Sequence, residues 1–561
     1  MVRAQWLNLN GKWDFEIDNA VSGEQKEFYK RDKLKGEIIV PFCPESKLSG
    51  VNNIGFMNSV WYRKSFNIPE EWNSKEILLH FGAVDYLAKV WINGRFVGEH
   101  SGGYTSFSFN ITKFLTEGEN SIVLSAFDDV RSGKQPSGKQ RRQYMTKKGC
   151  RYTRTTGIWQ TVWLEAVNTR YISSLKMTPD IKNTKLLVEA KLEGDADDCE
   201  VLATAFYKGK EVGKCKSRAT WHSSSFEVGI SDLYLWEPGK PELYDLEITL
   251  LKDDVVLDHV KSYFGMRSVF VTPDRIIRIN GKNIFQRLVL DQGFYPDGIY
   301  TAPTDEDLKK DIKISMELGF NGARLHEKIF EPRFLYWADK LGYIVWEEYA
   351  NWGLDVSSPS SITYFLPEWM EAVRRDYNHP SIVGWCPFNE TQADTCLDVL
   401  SIVYKSTKIY DASRPVIDTS GYVRSAKSDI YDSHNYTQDP EKLEEWYATL
   451  KQGKPPLKEY GRTVPDARMT FVSEYGGIKW APKKDLGWGY GKAPKTEKEF
   501  VDRYRGLTTA LLKNPRITAF CYTQLYDIEQ EVNGLYTYDR EPKFDCTVIA
   551  EINRQIAAIE E

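Results

Sequence analysis

After Asn280-Gly281 the chain takes up a rhythm that few folds accommodate: short apolar segments alternate with longer amphipathic stretches. Ile284 to Leu290, Asn321 to Leu325, Tyr343 to Glu347, Ile382 to Glu390, Pro415 to Thr419, Ile430 to Asn435, Thr470 to Glu474 and Ile517 to Gln524 read as eight strands. Between the first two, Thr304-Asp305-Glu306-Asp307 opens a helix with a capping-box-like signal, Leu308, Ile312 and Met316 share one face, and Gly319 closes it. Eight such units predict a (β/α)8 TIM barrel over residues 271–561.

Upstream the texture differs. Residues 1–170 carry short alternating segments, such as Lys89 to Ile92 and Arg95 to Val97 around the hairpin signal Asn93-Gly94, and predict an antiparallel β-sandwich. Residues 171–270 continue in the same style, with Lys185 to Ala190 as one strand, and fit a second sandwich of immunoglobulin size. A chain of 561 residues exceeds what one hydrophobic core supports, so several modules are required.

Composition narrows the function. With 41% hydrophobic and 27% charged residues and a mean hydropathy of -0.48, the chain is globular, and no apolar run approaches a membrane span. Its 74 basic and 79 acidic residues leave no broad basic field, so a nucleic-acid partner is not expected. The eight cysteines form no Cys-x-x-Cys pair, which predicts reduced thiols, no zinc ribbon and no redox motif. Met1 to Trp6 enters a strand-like segment without an apolar leader, giving a cytoplasmic expectation. Seventeen Trp and 32 Tyr suit sugar C–H faces, though core packing uses aromatics equally well.

Catalytic groups of such barrels lie at the C-terminal ends of the strands. Two segments run apolar and end in acids: Ser381 to Phe388 ends in Asn389-Glu390, and Met469 to Ser473 ends in Glu474. Glycoside hydrolysis needs such a carboxyl pair. Glu347 ends a strand too, so spacing alone leaves a paired-catalyst reading open beside a structural one.

The motifs decide more than the spacing. Tyr152-Thr153-Arg154-Thr155-Thr156-Gly157-Ile158-Trp159, Asn378-His379-Pro380-Ser381 leading through Trp385 to Asn389-Glu390, Phe471 to Gly476, and Tyr522-Thr523-Gln524-Leu525 continuing to Glu529 through Tyr536 resemble glycoside hydrolase family 2 over nearly the whole chain. The resemblance implies a jelly-roll sugar-binding domain (1–170), an immunoglobulin-like β-sandwich (171–270) and a catalytic barrel (271–561). It implies double displacement with retention, Glu390 as acid/base, Glu474 as nucleophile and Asn389 bonding the sugar 2-OH, with a carbohydrate as the partner. Environments that push the two Glu pKa values apart are then required. Arg287, Asp291, His326, Trp352, His434, Tyr436, Trp480 and Tyr522, near strand ends or in the loops beyond them, are candidates to line the sugar site.

Family 2 includes β-galactosidases, β-glucuronidases and β-mannosidases, so the glycone needs its own argument. Where the family's β-glucuronidases carry Asn-x-Lys, this chain reads Glu531-Val532-Asn533, and an ionised Glu531 would repel a uronate. Where relatives often carry Asp on a first-domain loop, it carries Arg151, able to pair with a carboxylate through a bidentate fork. A galacto-configured glycone, β-galactoside or β-galacturonide, is favoured, with β-glucuronidase as the alternative. No metal or cofactor is expected: His326-Glu327 lacks the second His of a zinc-protease motif, position 330 being Phe330. Gly487-Trp488-Gly489-Tyr490-Gly491 reads as a mobile aromatic loop over the barrel mouth rather than a nucleotide loop. No Gly-x-Ser-x-Gly elbow supports a serine hydrolase, and a non-catalytic sugar-binding protein is the remaining alternative. Oligomeric state, a homo-oligomer included, is left open.

Overall fold

The protein is described by a computed structural model covering residues 1–145, 149–425, 427–457, 466–481 and 487–561. The chain divides into two compact units, one of residues 1–129, 155–267 and 374–380, the other of residues 130–154, 268–373 and 381–561. Residues 130–154 therefore belong with the barrel, a departure from the continuous 1–170 segment expected.

The first unit contains two sandwiches. One joins the four-stranded sheet Trp6–Asn8, Val162–Val167, Glu76–Phe81 and Phe107–Asn110 to a six-stranded sheet that runs from Gly36–Val40 to Arg95–Ser101. Alternate residues of these strands, among them Trp13, Tyr62, Leu79 and Val90, fill the core between the sheets. At Asn93-Gly94 both residues have positive φ, 50° and 73°, the conformation a two-residue hairpin requires. The second sandwich packs Tyr171–Asp180, Lys185–Glu193 and Ser223–Gly229 against a four-stranded sheet made of Lys210–Arg218, Glu200–Tyr207, Tyr244–Lys252 and Val255–Phe264. Arg3 bonds Glu165 of the first sandwich at 2.8 Å and Asp258 of the second at 2.9 Å.

The second unit is the barrel. Its strands are β1 (Gln286–Asp291), β2 (Gly322–Leu325), β3 (Ile344–Glu348), β4 (Ile382–Cys386, resuming at Phe388–Asn389), β5 (Thr419–Ser420), β6 (Tyr431–Asn435), β7 (Met469–Tyr475) and β8 (Ala519–Tyr522). Seven form one curled parallel sheet in the order β4-β3-β2-β1-β8-β7-β6, and β5 pairs with the resumed part of β4 through Phe388↔Thr419 and Asn389↔Ser420. Pro387 lacks the N–H that would continue the ladder, so β4 breaks there and restarts two residues before Glu390. After β1, helix α1 (Asp305–Glu317) starts where the Thr304 hydroxyl accepts from Asp307 N, has three acids in its first turn, and stops at Gly319, φ 84°. All eight cysteines are free thiols. Among the described residues no helix is long and apolar enough to cross a membrane.

The base of β4 is fixed by one buried acid. Asp411 accepts from Trp385 Nε1 at 2.8 Å and pairs with Arg414 at 2.7 Å. Burial opposes its charge, but Arg414 together with hydrogen bonds from Ser413 and Trp385 outweighs burial and holds the carboxyl below the usual range. Asp411→Asn strands a buried guanidinium, so urea unfolding is expected to show a loss of about 3 kcal/mol or more; a midpoint within error of wild type would refute the role.

Candidate active site

The C-terminal strand ends converge on a cluster of buried charge. Glu474, sixth residue of β7, receives Arg324 Nη1 at 3.3 Å on Oε1 and the Tyr436 hydroxyl on Oε2. Glu390 follows β4 in a left-handed conformation, φ 50°, which a non-glycine residue rarely holds unless its surroundings demand it. Its backbone N–H reaches Ser420 O at 2.9 Å, which ties the turn to β5. The closest ligand-capable atoms of Glu390, His434 and Glu474 all lie within 4.8 Å of one another.

His434 stands between the two acids. Nδ1 lies 2.8 Å from Glu390 Oε1 and 3.3 Å from Glu474 Oε2. On the other side Nε2 is 2.9 Å from Ser420 Oγ, whose hydrogen goes to Asp432 at 2.7 Å, so Nε2 donates to the serine. These partners suit an imidazole that donates from both ring nitrogens. Burial disfavours that charge, but Glu474 and Glu390 outweigh it and raise the His434 pKa. Burial would likewise raise Glu390, yet the His434 bond and the charges of His434, Lys139 and Arg324 hold it below the ordinary carboxyl value. This is the reverse of what a lone acid catalyst needs; the proton belongs to the Glu390–His434 pair and rests on the imidazole. The trio's donor set could also ligate a divalent cation, but with Nδ1 donating to carboxylate the arrangement is a proton-sharing cluster.

Arg324 on β2 is the cation that the acids share. It pairs with Glu348 of β3, donates to Ser473 O at 2.5 Å and reaches Asn389 Oδ1 at 3.4 Å. His326 donates Nδ1–H to Glu348 at 2.8 Å, and burial with nearby Lys139 drives its pKa well down, so it stays neutral. Asn389 takes its backbone N–H to Asn351 Oδ1 at 2.8 Å, while its buried Nδ2 has no partner among the described residues and is left to donate to a ligand. Trp352 Nε1 donates to Asn389 O at 3.2 Å. Tyr436 stacks on Tyr490, ring centroids 3.4 Å apart, and Gly477 permits this because any Cβ there would meet Tyr490 at 2.4 Å.

Loop 130–154 completes the site within this unit. Lys139 is 5% exposed, its ammonium 3.8 Å above the Trp352 ring, with Glu531, Glu327 and Glu390 in electrostatic reach. Arg151 lies over the same ring at 4.9 Å. Tyr152, Glu531, Asn533, Gln524 and Gln292 close a ring of hydrogen bonds that runs back to Tyr152. Glu531 is thus saturated by protein donors, and burial lifts its carboxyl to about 7. Raised to about 7 and turned to protein donors, Glu531 opposes a uronate less than the fully ionised acid expected from the sequence.

Three family models match consecutive segments: the sugar binding domain of glycosyl hydrolases family 2 at residues 47–164, a second family 2 model at 170–267 and the family's TIM barrel domain at 274–476. The chain belongs to glycoside hydrolase family 2. A β-galactosidase from Thermoanaerobacter pseudethanolicus is 28% identical over 451 residues, 75% of this chain and 54% of the relative, so the chain spans about half of that protein's length. The β-glucuronidase of Rattus norvegicus is 25% identical over 451 residues, 73% of this chain and 67% of the relative. A β-glucuronidase from Ruminococcus gnavus in complex with D-glucuronic acid superposes with a TM-score of 0.82 over 98% of both chains; at 17% identity it shows a shared fold.

In this family 2 protein hydrogen bonds and ion pairs link Glu390, Glu474, Asn389, His326, His434, Tyr436 and Trp352 at the strand ends, with Arg151 over the Trp352 ring. Arg287 is not among them. That residue is second in β1, at the N-terminal end of the barrel, and its guanidinium binds Glu560 at 2.6 Å and the carbonyls of Asn553 and Gln555. Asp291 is turned to Tyr526 and Gly293 N, with burial and Asp311 raising it to about 6. Trp480 packs on Phe500 and Phe544, and Tyr522 on Tyr475 and Tyr504. The described part of the aromatic loop is fastened through Trp488 to Gln530 and Val532 and through Tyr490 to Gly477, not free over the mouth.

The paired proton has a direct signature. In histidine-resolved NMR, His434 should lose its proton only above the ordinary imidazole value of about 6.5, while His326 stays neutral throughout. Removing one carboxylate in Glu390→Gln should lower the His434 pKa. An unaltered His434 titration in that variant would refute the pairing.

Proposed function

We propose that the protein is a retaining exo-β-glycosidase. The observation that carries this reading is the pairing of two strand-end carboxyls, Glu390 and Glu474, each with an oxygen within 4.8 Å of the other and of His434; retention is favoured because it uses the closer of the two carboxyl separations known for glycosidases, roughly 5 to 5.5 Å. Glu474, oriented by Arg324 and Tyr436, attacks the anomeric carbon. Glu390 delivers the proton of its pair to the departing oxygen. Water then enters beside Glu390, gives it a proton and releases the sugar from Glu474. Asn389 bonds the 2-OH as the transition state forms, a role supported by its buried Nδ2 having no partner among the described residues.

For the glycone we favour a galacto-configured sugar, a β-galactoside or β-galacturonide, because Asn-x-Lys is replaced by Glu531-Val532-Asn533. A β-glucuronide is the second reading. It is supported by the names of the β-glucuronidase relatives and by Lys139, a buried ammonium that suits the carboxylate of either uronide.

Hydrolysis of p-nitrophenyl β-galactoside, galacturonide, glucuronide, glucoside and mannoside tests both parts. One glycone should dominate with retained anomeric configuration, and Glu474→Gln should abolish turnover of it. Inversion, or an active Glu474→Gln, would sink the mechanism. Glu390→Gln should lose about 10²- to 10⁴-fold on glycosides with poor leaving groups and much less on activated aryl glycosides. Equal losses on both would remove Glu390 from the acid role.

A further inference from the structure

Residues 130–154 contain nine Lys and Arg and no Asp or Glu, in a chain whose net charge is -5. Some of these cations have partners within the protein: Arg141 pairs with Glu529 at 3.3 Å, Arg154 donates to the carbonyls of Arg141 and Gln143, and Arg142 donates to Val130 O and Gly353 O. Arg151 lines one cavity, and Arg131, Lys134 and Arg142 line another. A cavity of about 440 Å³ is lined by Glu390, Arg151, Trp352, Thr391, Gln392 and Tyr422 among others. Gly353 and Leu354 form a wall shared with a second cavity of about 750 Å³, to which Arg131, Lys134 and Arg142 contribute. The acid in that outer cavity, Asp355, already accepts from Ser357 N and Oγ.

The backbone of the loop and the Arg151 side chain are held in place. Ser137 N binds Trp352 O at 2.7 Å, Gly138 N binds Ala350 O, and Asp355 N binds Gly133 O at 2.8 Å. Arg151 is braced by the Gly138 and Gln140 carbonyls and by the Trp352 face. Gln530 Nε2 fixes the backbone at Gly149 and Arg151, 2.8 Å from each carbonyl.

The position identifies the side of the reaction. Glu390 lines the inner cavity and its side chain is 16% exposed, whereas the Glu474 side chain is 5% exposed and is not part of that lining. The group that opens onto this cavity is the one that would protonate the departing oxygen, so the cavity receives what departs. We propose that this cleft is a cationic leaving-group subsite that takes an anionic glycan, carboxylated or sulfated, as the aglycone. The proposal rests on Glu390 being the acid of the proposed glycosidase. Arg151 grips the anion next to the scissile bond, and Arg131, Lys134 and Arg142 extend the positive track outward.

The test uses three disaccharides of the preferred glycone that differ only in the second sugar: a uronate, a sulfated hexose and an uncharged hexose. At low salt the full-length protein should cleave an anionic disaccharide at least about tenfold faster in kcat/KM than the uncharged one, with the difference in KM and fading as salt screens the charges. A uronate preference or a sulfate preference supports the subsite and names the anion. Arg151→Gln should cut the anionic-to-neutral ratio several-fold, Arg151→Lys should restore part of it, and Lys134→Gln at the exposed rim should reduce it without disturbing the braced part of the loop. Calorimetry of the same sugars with Glu474→Gln separates the two readings. Salt-dependent binding of the anionic sugar without wild-type turnover would keep the subsite and discard the activity. Turnover indifferent to aglycone charge, or absence of both binding and turnover, would overturn the subsite.

Discussion

One guanidinium organises the active end of the barrel. Arg324 leaves β2 in a wholly buried position and meets Glu348 from β3, Asn389 from β4, and Ser473 and Glu474 from β7. Such a charge is tolerable in an interior only when fully paired, and a planar fork can satisfy several acceptors where an ammonium could not. The acids need it equally, since Glu348 and Glu474 are nine-tenths or more buried. Glu474 is therefore positioned by the same interaction that lets the strand ends approach one another.

The Glu390–His434 pair shows why assigning a pKa to one residue misleads here. Burial alone would have kept a proton on Glu390, the textual ideal of an acid. A histidine between two carboxylates captures that proton instead, and Ser420 and Asp432 stabilise the imidazolium from behind. The site holds its acid equivalent one hydrogen bond away from where it is used, and the titration belongs to the pair.

How legible was this in the sequence? The eight strands could be read because apolar runs between amphipathic stretches are a local pattern, and Glu390 and Glu474 stood out because each ends such a run. Arg324 escaped notice: it sits inside Ala323–Leu325, where a lone charge in an apolar strand gives no hint of four partners 24 to 150 positions away. Lys139 and the ring through Tyr152 and Glu531 are contacts across hundreds of residues, which periodicity cannot report. Arg287 was misplaced because nearness to a strand end was read without direction; it lies at the closed, N-terminal end. Glu531 was read as a fully ionised acid because sequence shows charge and not the burial that lifts its carboxyl to about 7. The grouping of 130–154 with the barrel unit was not read for a related reason, as its run of Lys and Arg marks the segment as unusual without saying which strands it joins.

That interleaving bears on how such a protein can be made and remade. The chain passes between its two units five times, at 129/130, 154/155, 267/268, 373/374 and 380/381. A segment synthesised early, with Lys139, Arg151 and Tyr152, must wait for strands that emerge from the ribosome hundreds of residues afterwards. A gene fragment starting near residue 270 would encode every barrel strand and still lack one wall of the cleft. A barrel exchanged as a free-standing cassette would leave that wall behind; the stretch of chain that encodes the first sandwich also encodes part of the barrel unit.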